Sequence, residues 1–197
     1  LLANAKVGTI VPLYREENKY YIDESNLDNL VFLDNGTQFV ITSEKSGYMH
    51  LYLYDLNGRE RQAITKGNFD IIDFYGYDPV RKLFYYSSYE ESPLEKYIYS
   101  INEKGLKKKL TPVKGWNEAS FSKNFNYYIN VVSNTDTPPV TALYNAKGKQ
   151  VRVLEDNKAV KEAVKAYNLA KPEFIQIPAA DGKTMLNAWI MKPVNQE

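Results

Sequence analysis

A strand-turn-strand pattern occurs three times in this chain of 197 residues, and this repeat restricts its fold more than any other feature. Tyr54, Tyr99 and Tyr144 hold equivalent places in the three copies, 45 residues apart each time. In every copy apolar and polar residues alternate, break at a glycine-containing turn and alternate again. Because period-two alternation is typical of β-strands and glycine of tight turns, each copy predicts a β-hairpin. The turn glycines are Gly58, Gly105 and Gly148, and the closing apolar residues are Ile64, Leu110 and Leu154.

Two further strand-like segments precede each hairpin, so each repeat holds four short strands in about 45 residues. That length and strand number match one blade of a β-propeller. A partial copy at the start, NAKVGTIVPL, places Gly8 where the full copies have their turn glycine. The sequence therefore predicts a mainly β fold, a partial β-propeller of about three four-stranded blades plus the end of a preceding one. Since a propeller needs roughly four to eight blades to close, we expect a piece of a larger protein; the alternative is a piece that pairs with itself.

Two similar segments, ITKGNFDIIDF and LTPVKGWNEASF, lie where one repeat passes into the next. Aromatic residues recur at these boundaries: Tyr21, Phe69 and Trp116 are spaced by 48 and 47 residues. A ring at such a joint can wedge against the next sheet, where its burial contributes roughly 1.5–3 kcal/mol. We therefore predict that these three rings belong to the core.

A different pattern follows the repeat after Glu155. DNKAVKEAVKAYNLAKP predicts a short helix, capped by Asp156 or Asn157 and ended by Pro172. EFIQIPAADGKTMLNAWIMKP alternates on both sides of Asp181-Gly182 and predicts a β-hairpin. The predicted division of the chain is 1–25 as the end of a preceding blade with an inter-blade loop, 26–156 as three blades (about 26–69, 70–115 and 116–156), 157–172 as a linker helix, and 173–197 as the first hairpin of a truncated domain.

Composition argues against several kinds of site. The chain has no cysteine, which excludes disulfides, thiolate metal sites and a cysteine nucleophile. One histidine, His50, is too few for a typical transition-metal centre, so neither a metal nor a cofactor is predicted. The net charge of +1 does not point to nucleic acid, and no apolar run approaches the roughly 18 residues of a membrane span. His50 lies in a strand pattern, where a structural role is favoured over a catalytic one.

Two charged segments have a functional and a structural interpretation. Adjacent carboxylates at Glu90-Glu91 could hold an amine, although such pairs on loops are usually solvated. The basic hairpin KGLKKK, Lys104 to Lys109, could bind nucleic acid, but the near-zero net charge favours a solvated face. The chain also lacks a Gly-x-Ser-x-Gly nucleophile motif, so it is not expected to carry a catalytic serine of that type.

Several motifs together resemble a known family. FVITSEKSGYMHLYLYDLNG with ITKG, FYYSSYEESPLEKYIYS, LTPVKGW, TPP and above all RVLEDN are similar to the later propeller blades of the dipeptidyl peptidase IV family, of bacterial type, in the prolyl oligopeptidase clan. KPEFIQIPAADGKTMLNAWIMKP is similar to the entry into that family's α/β-hydrolase domain. The resemblance covers the whole chain, and the predicted C-terminal hairpin would then open a hydrolase domain.

The resemblance implies a function for the parent protein. Members are serine exopeptidases that release N-terminal dipeptides, preferring proline or alanine in second position, and their eight-bladed propeller gates and positions the substrate. The catalytic serine, aspartate and histidine would lie beyond Glu197, so this chain is expected to contain no catalytic residue and to be inactive alone. Peptide substrates are the expected partners, a homodimeric parent is left open, and the expected location is the periplasm or cell envelope.

The resemblance also suggests where substrate-binding residues lie. The family's amine-binding glutamate pair belongs to an earlier blade, so Glu90-Glu91 is rejected as that site. An aromatic and a basic residue near the pocket precede the blade that begins here at LVFLDNG, where this chain has YYIDES. Tyr20 and Tyr21 are therefore the candidate substrate-binding residues, and the basic partner has no clear match. Two alternatives remain: a propeller binding scaffold without peptidase, or the propeller of another prolyl-oligopeptidase relative.

Overall fold

The computed structural model of the chain describes residues 1–23, 29–34, 36–167 and 169–193. Within these ranges it contains sixteen strands and one α-helix. The strands are β1 Leu2–Ala3, β2 Ile10–Val11, β3 Val31–Phe32, β4 Gln38–Ser43, β5 His50–Asp55, β6 Glu60–Ala63, β7 Ile71–Asp78, β8 Leu83–Ser88, β9 Tyr97–Asn102, β10 Lys107–Lys109, β11 Trp116–Phe121, β12 Tyr127–Asn134, β13 Thr137–Asn145, β14 Gln150–Glu155, β15 Glu173–Pro178 and β16 Met185–Ile190. The helix is α1 Lys158–Lys165. The predicted boundary at residues 25 and 26 and the last four residues of the predicted hairpin lie outside the described ranges.

Three four-stranded antiparallel sheets form the body of the structure. Their strand orders are β3-β4-β5-β6, β7-β8-β9-β10 and β11-β12-β13-β14, so consecutive strands are neighbours throughout. We call these sheets the first, second and third blade. Two-stranded sheets, β1-β2 and β15-β16, lie before and after them in the chain. This arrangement confirms the predicted fold class, a mainly β partial propeller followed by a short helix and a hairpin.

The repeated tyrosine has the same role in every blade. Each one lies opposite an aromatic residue of the second strand, in the pairs Phe39–Tyr54, Tyr86–Tyr99 and Tyr128–Tyr144. The paired rings are stacked, with centroids 5.4, 5.4 and 5.2 Å apart. Cross-strand aromatic pairs of this kind stabilise a sheet by roughly 0.2–1 kcal/mol each. The 45-residue spacing of the sequence therefore reflects one stacked pair per blade.

The apolar core lies between neighbouring blades. Leu51 and Leu53 of the first blade belong to one buried cluster with Tyr86 and Tyr99 of the second. A separate cluster joins the second blade to the third, and a further one joins the first blade to the segment before it, around Leu13. Because both faces of a middle blade are covered, its strands are buried almost without alternation, as in β8 and β9.

Turn glycines allow neighbouring blades to approach closely. Gly58 and Gly148 both have positive φ, and a Cβ on either would lie only 2.7 Å from a backbone oxygen, that of Leu13 and that of Leu110 respectively. Leu13 and Leu110 belong to the preceding structural unit in each case. The glycine is therefore required twice over, by the turn conformation and by the contact between blades.

The inter-blade segments share a hydrogen-bonding device. The Thr65 and Thr111 hydroxyl oxygens accept the backbone N–H of Leu51 and Ile98, each at 3.0 Å. Both threonines are buried and both come directly after the residue that closes the repeat, in ITKG and LTPVKG. The recurrence of threonine in these segments thus has a structural cause.

The aromatic residues of the joints only partly follow the prediction. Phe69 packs against the buried core, with its ring centroid 5.1 Å from that of His50. The prediction is wrong for Trp116 and Tyr21, which are 42% and 86% exposed. Trp116 begins β11, where its indole N–H donates to the carboxylate of Glu118 at 3.3 Å and the ring faces outward. Tyr21 lies in irregular chain between β2 and β3, so no sheet packs over it.

The C-terminal elements are short and exposed. Helix α1 lies inside the predicted range 157–172 but ends at Lys165, well before Pro172, because Ala166 already bonds back to Ala163 in a tighter turn. Asn157 is the N-cap residue, yet its side-chain amide donates to Pro139 O at 2.6 Å and does not cap the helix. The hairpin β15-β16 turns at Asp181-Gly182 as predicted. Of the helical segments that the structure describes, none has the length and apolar character needed to cross a membrane.

Candidate functional site in a cleft lined by the three blades

The first strands of the second and third blades are each hydrogen-bonded to the blade before them. Asn117 N–H at the start of β11 donates to Lys96 O, 3.1 Å away, just before β9 of the preceding blade, and Ile71 N–H at the start of β7 donates to Met49 O at 3.0 Å. The fourth strands, by contrast, are largely exposed. Since propeller blades converge on a central channel, we expect β7 and β11 to be the strands nearest to the channel of a closed propeller.

A cleft of about 380 Å³ opens where β7 and β11 begin. Its walls combine apolar and aromatic side chains with carboxylates; the residues that matter most are Glu44, Met49, Asp70, Ile72, Tyr89 and Trp116. Its volume is within the range of typical small-ligand clefts, which is roughly 300–1,000 Å³. The mixture of rings and acids at a channel-side position makes it the leading candidate site of this chain.

Asp70 is held firmly in the wall of this cleft. Its Oδ1 accepts the backbone N–H of Met49 at 2.6 Å, and its Oδ2 accepts the Tyr89 hydroxyl at 3.0 Å. Burial, followed by this bond to Asp70, raises the pKa of the Tyr89 phenol, which therefore stays protonated as a donor. The two bonds orient the carboxylate and join the two blades at the same point.

Ion pairs around one buried lysine lie on the Trp116 side of the cleft. Lys96 is only 4% exposed, and its Nζ lies 3.1 Å from Asp73 Oδ2, 3.7 Å from Glu118 Oε1 and 4.9 Å from the Trp116 ring centroid. Burial alone would raise the pKa of Asp73, but hydrogen bonds from Ser87 and Lys96 outweigh it and the pKa lies below its ordinary value. One buried lysine thus faces two partly exposed carboxylates, so acidic groups outnumber basic ones in this cluster.

Tyr21, one of the two predicted substrate-binding residues, lies beside this cleft. It lines a much smaller cavity of about 10 Å³, and that cavity shares Glu44 and Met49 with the cleft. Tyr20 is 70% exposed, does not line that cavity, and has the Nζ of Lys19 4.6 Å from its ring centroid. Tyr21 thus lies next to the cleft, whereas Tyr20 lines neither the cleft nor the small cavity.

The small cavity contains a carboxylate that sequence reasoning missed. Glu16 accepts the Tyr14 hydroxyl at Oε2 and the Ser43 hydroxyl at Oε1, both at 2.6 Å. Burial, together with the bond to Glu16, raises the pKa of the Tyr14 phenol. The link from the segment before the first blade to β4 is long-range, and the local sequence carries no signal for it.

Glu90 and Glu91 both form ion pairs away from the cleft. Glu90 Oε2 lies 2.5 Å from Lys107 Nζ, and Glu91 Oε2 lies 2.7 Å from Lys109 Nζ. Glu91 Oε1 also accepts the Tyr99 hydroxyl at 3.0 Å, and the bond from Lys109 is the main reason that the pKa of Glu91 is lowered. These partners join the β8-β9 loop to the outer strand β10, and the rejection of this pair as an amine site stays a prediction.

His50 has the structural role that the sequence predicts. Its Nε2 lies 3.0 Å from Gly67 O, so that nitrogen donates, and its Nδ1 lies 3.0 Å from Thr65 Oγ1 and accepts from the hydroxyl. Both ring nitrogens are therefore occupied in the interior of the first blade. Within the described ranges, no group of three or more His, Asp or Glu side chains is arranged to hold a metal ion.

Comparison with known proteins identifies the family. Residues 1–139 match the family model described as the dipeptidyl peptidase IV (DPP IV) N-terminal region. The chain belongs to this family. The matched region covers all of the first two blades and every residue that lines the cleft.

Solved and curated DPP IV proteins agree with this assignment. The crystal structure of Porphyromonas gingivalis dipeptidyl peptidase 4 is 40% identical with a TM-score of 0.88 over 94% of this chain, which is 26% of that protein. Dipeptidyl peptidase 4 of Trichophyton rubrum is 30% identical over 172 residues, or 81% of this chain. The chain spans only 22% of the length of that curated relative.

Trp116 shows why the cleft was missed from the sequence. The motif LTPVKGW predicts a blade joint with a buried ring; the joint is present, but the ring is 42% exposed. Two residues later along β11 stands Glu118, on the same side of the strand because side chains alternate. The spacing of Trp116 and Glu118, two residues apart on β11, could have indicated that this face of the strand is exposed and polar.

Proposed function

We propose that this chain is the propeller segment of a serine exopeptidase that releases N-terminal dipeptides, and that it gates and positions the substrate. The observation that carries the proposal is the DPP IV family match over residues 1–139, supported by the 0.88 TM-score to a dipeptidyl peptidase 4. The matching proteins are named as dipeptidyl peptidases, so the reaction class assigned to the parent is hydrolysis of a peptide bond near the N-terminus.

Catalysis itself is assigned to the rest of the parent protein. A serine nucleophile needs a histidine base within hydrogen-bond reach. The one histidine of the chain, His50, is buried with both ring nitrogens bonded to Thr65 and Gly67. The chain's own contribution is the channel wall, which restricts access and holds the peptide in a productive position; such positioning is a large part of enzymatic rate enhancement.

The decisive experiment uses the full-length parent protein. Its product is assayed for cleavage of a Gly-Pro reporter, with the serine of any downstream Gly-x-Ser-x-Gly motif replaced by alanine as the control. Serine-dependent release of the dipeptide is the expected result, and the purified 197-residue chain should release none. A folded parent without this activity would contradict the proposal and favour a binding scaffold or an endopeptidase relative.

The proposal also covers the substrate-binding tyrosines, the domain boundaries, the location and the oligomeric state. Tyr21, which lies beside the cleft, is the better candidate for substrate contact, and Tyr20 is the weaker one. The chain divides at residues 25, 156 and 172 into preceding blade, three blades, linker helix and the start of a hydrolase domain. The parent is placed in the periplasm or cell envelope, and cell fractionation tests this; light scattering tests whether the parent is a homodimer.

A further inference from the structure

We propose that the cleft between Glu44 and Trp116 is a subsite for the departing part of the peptide substrate, and that it prefers a basic side chain. The proposal rests on the function proposed above. It concerns residues beyond the bond that is cleaved, because those residues extend away from the catalytic groups into the space that the propeller encloses.

The position of the cleft supports contact with a peptide. It lies at the start of β7 and β11, the strands that we expect to face the channel of the closed propeller. Apolar groups are exposed there: Trp116 is 42% exposed and Ile72 is 38% exposed. Exposed rings at a concave site are the groups that bind ligands most readily.

The charge of the cleft selects the kind of side chain. Glu44 is exposed, and its carboxylate makes no ion pair with any residue that the structure describes. Asp70 adds a second carboxylate, whose orientation is set by Met49 and Tyr89. A guanidinium or ammonium group would therefore find a carboxylate at the rim and an aromatic surface beside it, the combination that binds cations well.

The nearby lysine does not cancel this charge. Lys96 is buried against one side of the Trp116 ring and already pairs with Asp73 and Glu118. Its role is to hold the ring in place from within the protein. Because that cation is already paired with two carboxylates, it adds no uncompensated positive charge to the cleft, and acidic peptides are disfavoured.

The test compares matched peptides within each enzyme variant. Full-length protein is given Gly-Pro peptides of five residues with Arg, Ala or Glu at the first or second position after the cleaved bond. The wild type should cleave the best Arg peptide roughly three- to fivefold more efficiently in kcat/KM than its Glu counterpart, since exposed cation contacts are individually modest. This preference should weaken as salt is added, because the contributing charges are exposed.

Two variants separate charge from ring contact. Glu44→Lys should abolish or reverse the ratio of Arg to Glu peptides, and Trp116→Leu should lower the ratio of Arg to Ala peptides. Because each readout is a ratio within one variant, partial loss of folded enzyme does not affect it. Glu162→Gln, an exposed carboxylate change on helix α1, is the matched control and should leave the ratios unchanged.

The outcomes distinguish this inference from the proposed function. If the wild type fails to cleave even the Gly-Pro reporter, the proposed function and the subsite both fall. If the reporter is cleaved but Arg and Glu peptides are treated alike, only the subsite is overturned. An Arg preference that survives Glu44→Lys unchanged would also overturn it, since the preference would then come from elsewhere.

Discussion

The side-chain amide of Asn117 donates to the backbone oxygen of Lys96 at 2.9 Å, and this bond connects two blades through a fully buried polar group. The same Nδ2 lies 3.1 Å from Val113 O and 3.2 Å from Gly115 O, and the Asn117 side-chain oxygen accepts from Asn130 at 2.8 Å. The joint between the second and third blades is thus built around one amide. Such a network stabilises a joint only while all of its members are present.

We expect Asn117→Ala to destabilise the protein by about 2–3 kcal/mol, because it removes a side-chain donor shared by three carbonyl oxygens and leaves the buried Asn130 amide without its acceptor. Urea denaturation of wild type and variant gives the difference. Asn68→Ala removes an exposed amide on the inter-blade segment after the first blade and should change stability by less than about 0.5 kcal/mol. Equal effects of the two substitutions would show that the network does not hold the blades together.

Two tyrosines should respond in opposite ways to loss of the hydroxyl. The Tyr86 hydroxyl is buried and has no hydrogen-bond partner among the described residues, whereas the Tyr128 hydroxyl donates to Leu110 O at 3.2 Å. We expect Tyr86→Phe to be neutral or stabilising and Tyr128→Phe to cost about 1 kcal/mol. Both rings stay in place, so thermal or urea midpoints compare the hydroxyls directly. A large loss in Tyr86→Phe would contradict the assignment.

Substitution of two turn glycines can distinguish the cost of a steric contact between blades from the cost of backbone strain. Gly105 and Gly148 occupy the same turn position with φ of +79° and +77°, but a Cβ on Gly105 meets nothing within 4 Å, while one on Gly148 would lie 2.7 Å from Leu110 O. Alanine at either position therefore carries the same strain of about 1 kcal/mol. Gly148→Ala should cost clearly more, because it also pushes the third blade from the second. The measurement is the difference between the two unfolding free energies, and a difference near zero would refute the close contact.

Acid should weaken the attachment of the β8-β9 loop to strand β10. The pKa of Glu91 lies below its ordinary value of 4.5, first because of the bond from Lys109. A lowered folded-state pKa contributes stability that is present above the unfolded value and is lost as the pH falls through the folded one. The stability difference between wild type and Glu91→Gln should therefore be constant near neutrality and shrink below about pH 4.5.

Hydrogen exchange of the loop amides across this pH range gives a local measurement. Lys158→Gln on the exposed helix α1 serves as the comparison variant, since it removes a lysine without a carboxylate partner among the described ion pairs. The stability difference between wild type and Lys158→Gln should stay constant over the same pH interval. A stability difference between wild type and Glu91→Gln that grows as the pH falls would contradict this prediction.

The repeat of Tyr54, Tyr99 and Tyr144 shows what the sequence alone could determine. Alternation, turn glycines and a 45-residue period are local properties, so they predicted four strands per blade, the hairpin turn at Gly58 and the hairpin at Asp181-Gly182. Period-two alternation marks a strand wherever it occurs, because it follows from backbone geometry. The family resemblance rested on the same local motifs, and the DPP IV match confirmed it.

Only the tertiary structure decided which side chains meet. Trp116 was expected in the core and is exposed above the buried Lys96, while Gly105 and Gly148 are identical in turn geometry and differ in what lies beside them. Glu16 meets Ser43 across 27 residues, and no local pattern records such a contact. The physical reason is that strand periodicity depends on neighbouring residues, whereas burial and pairing depend on how one blade is placed against the next.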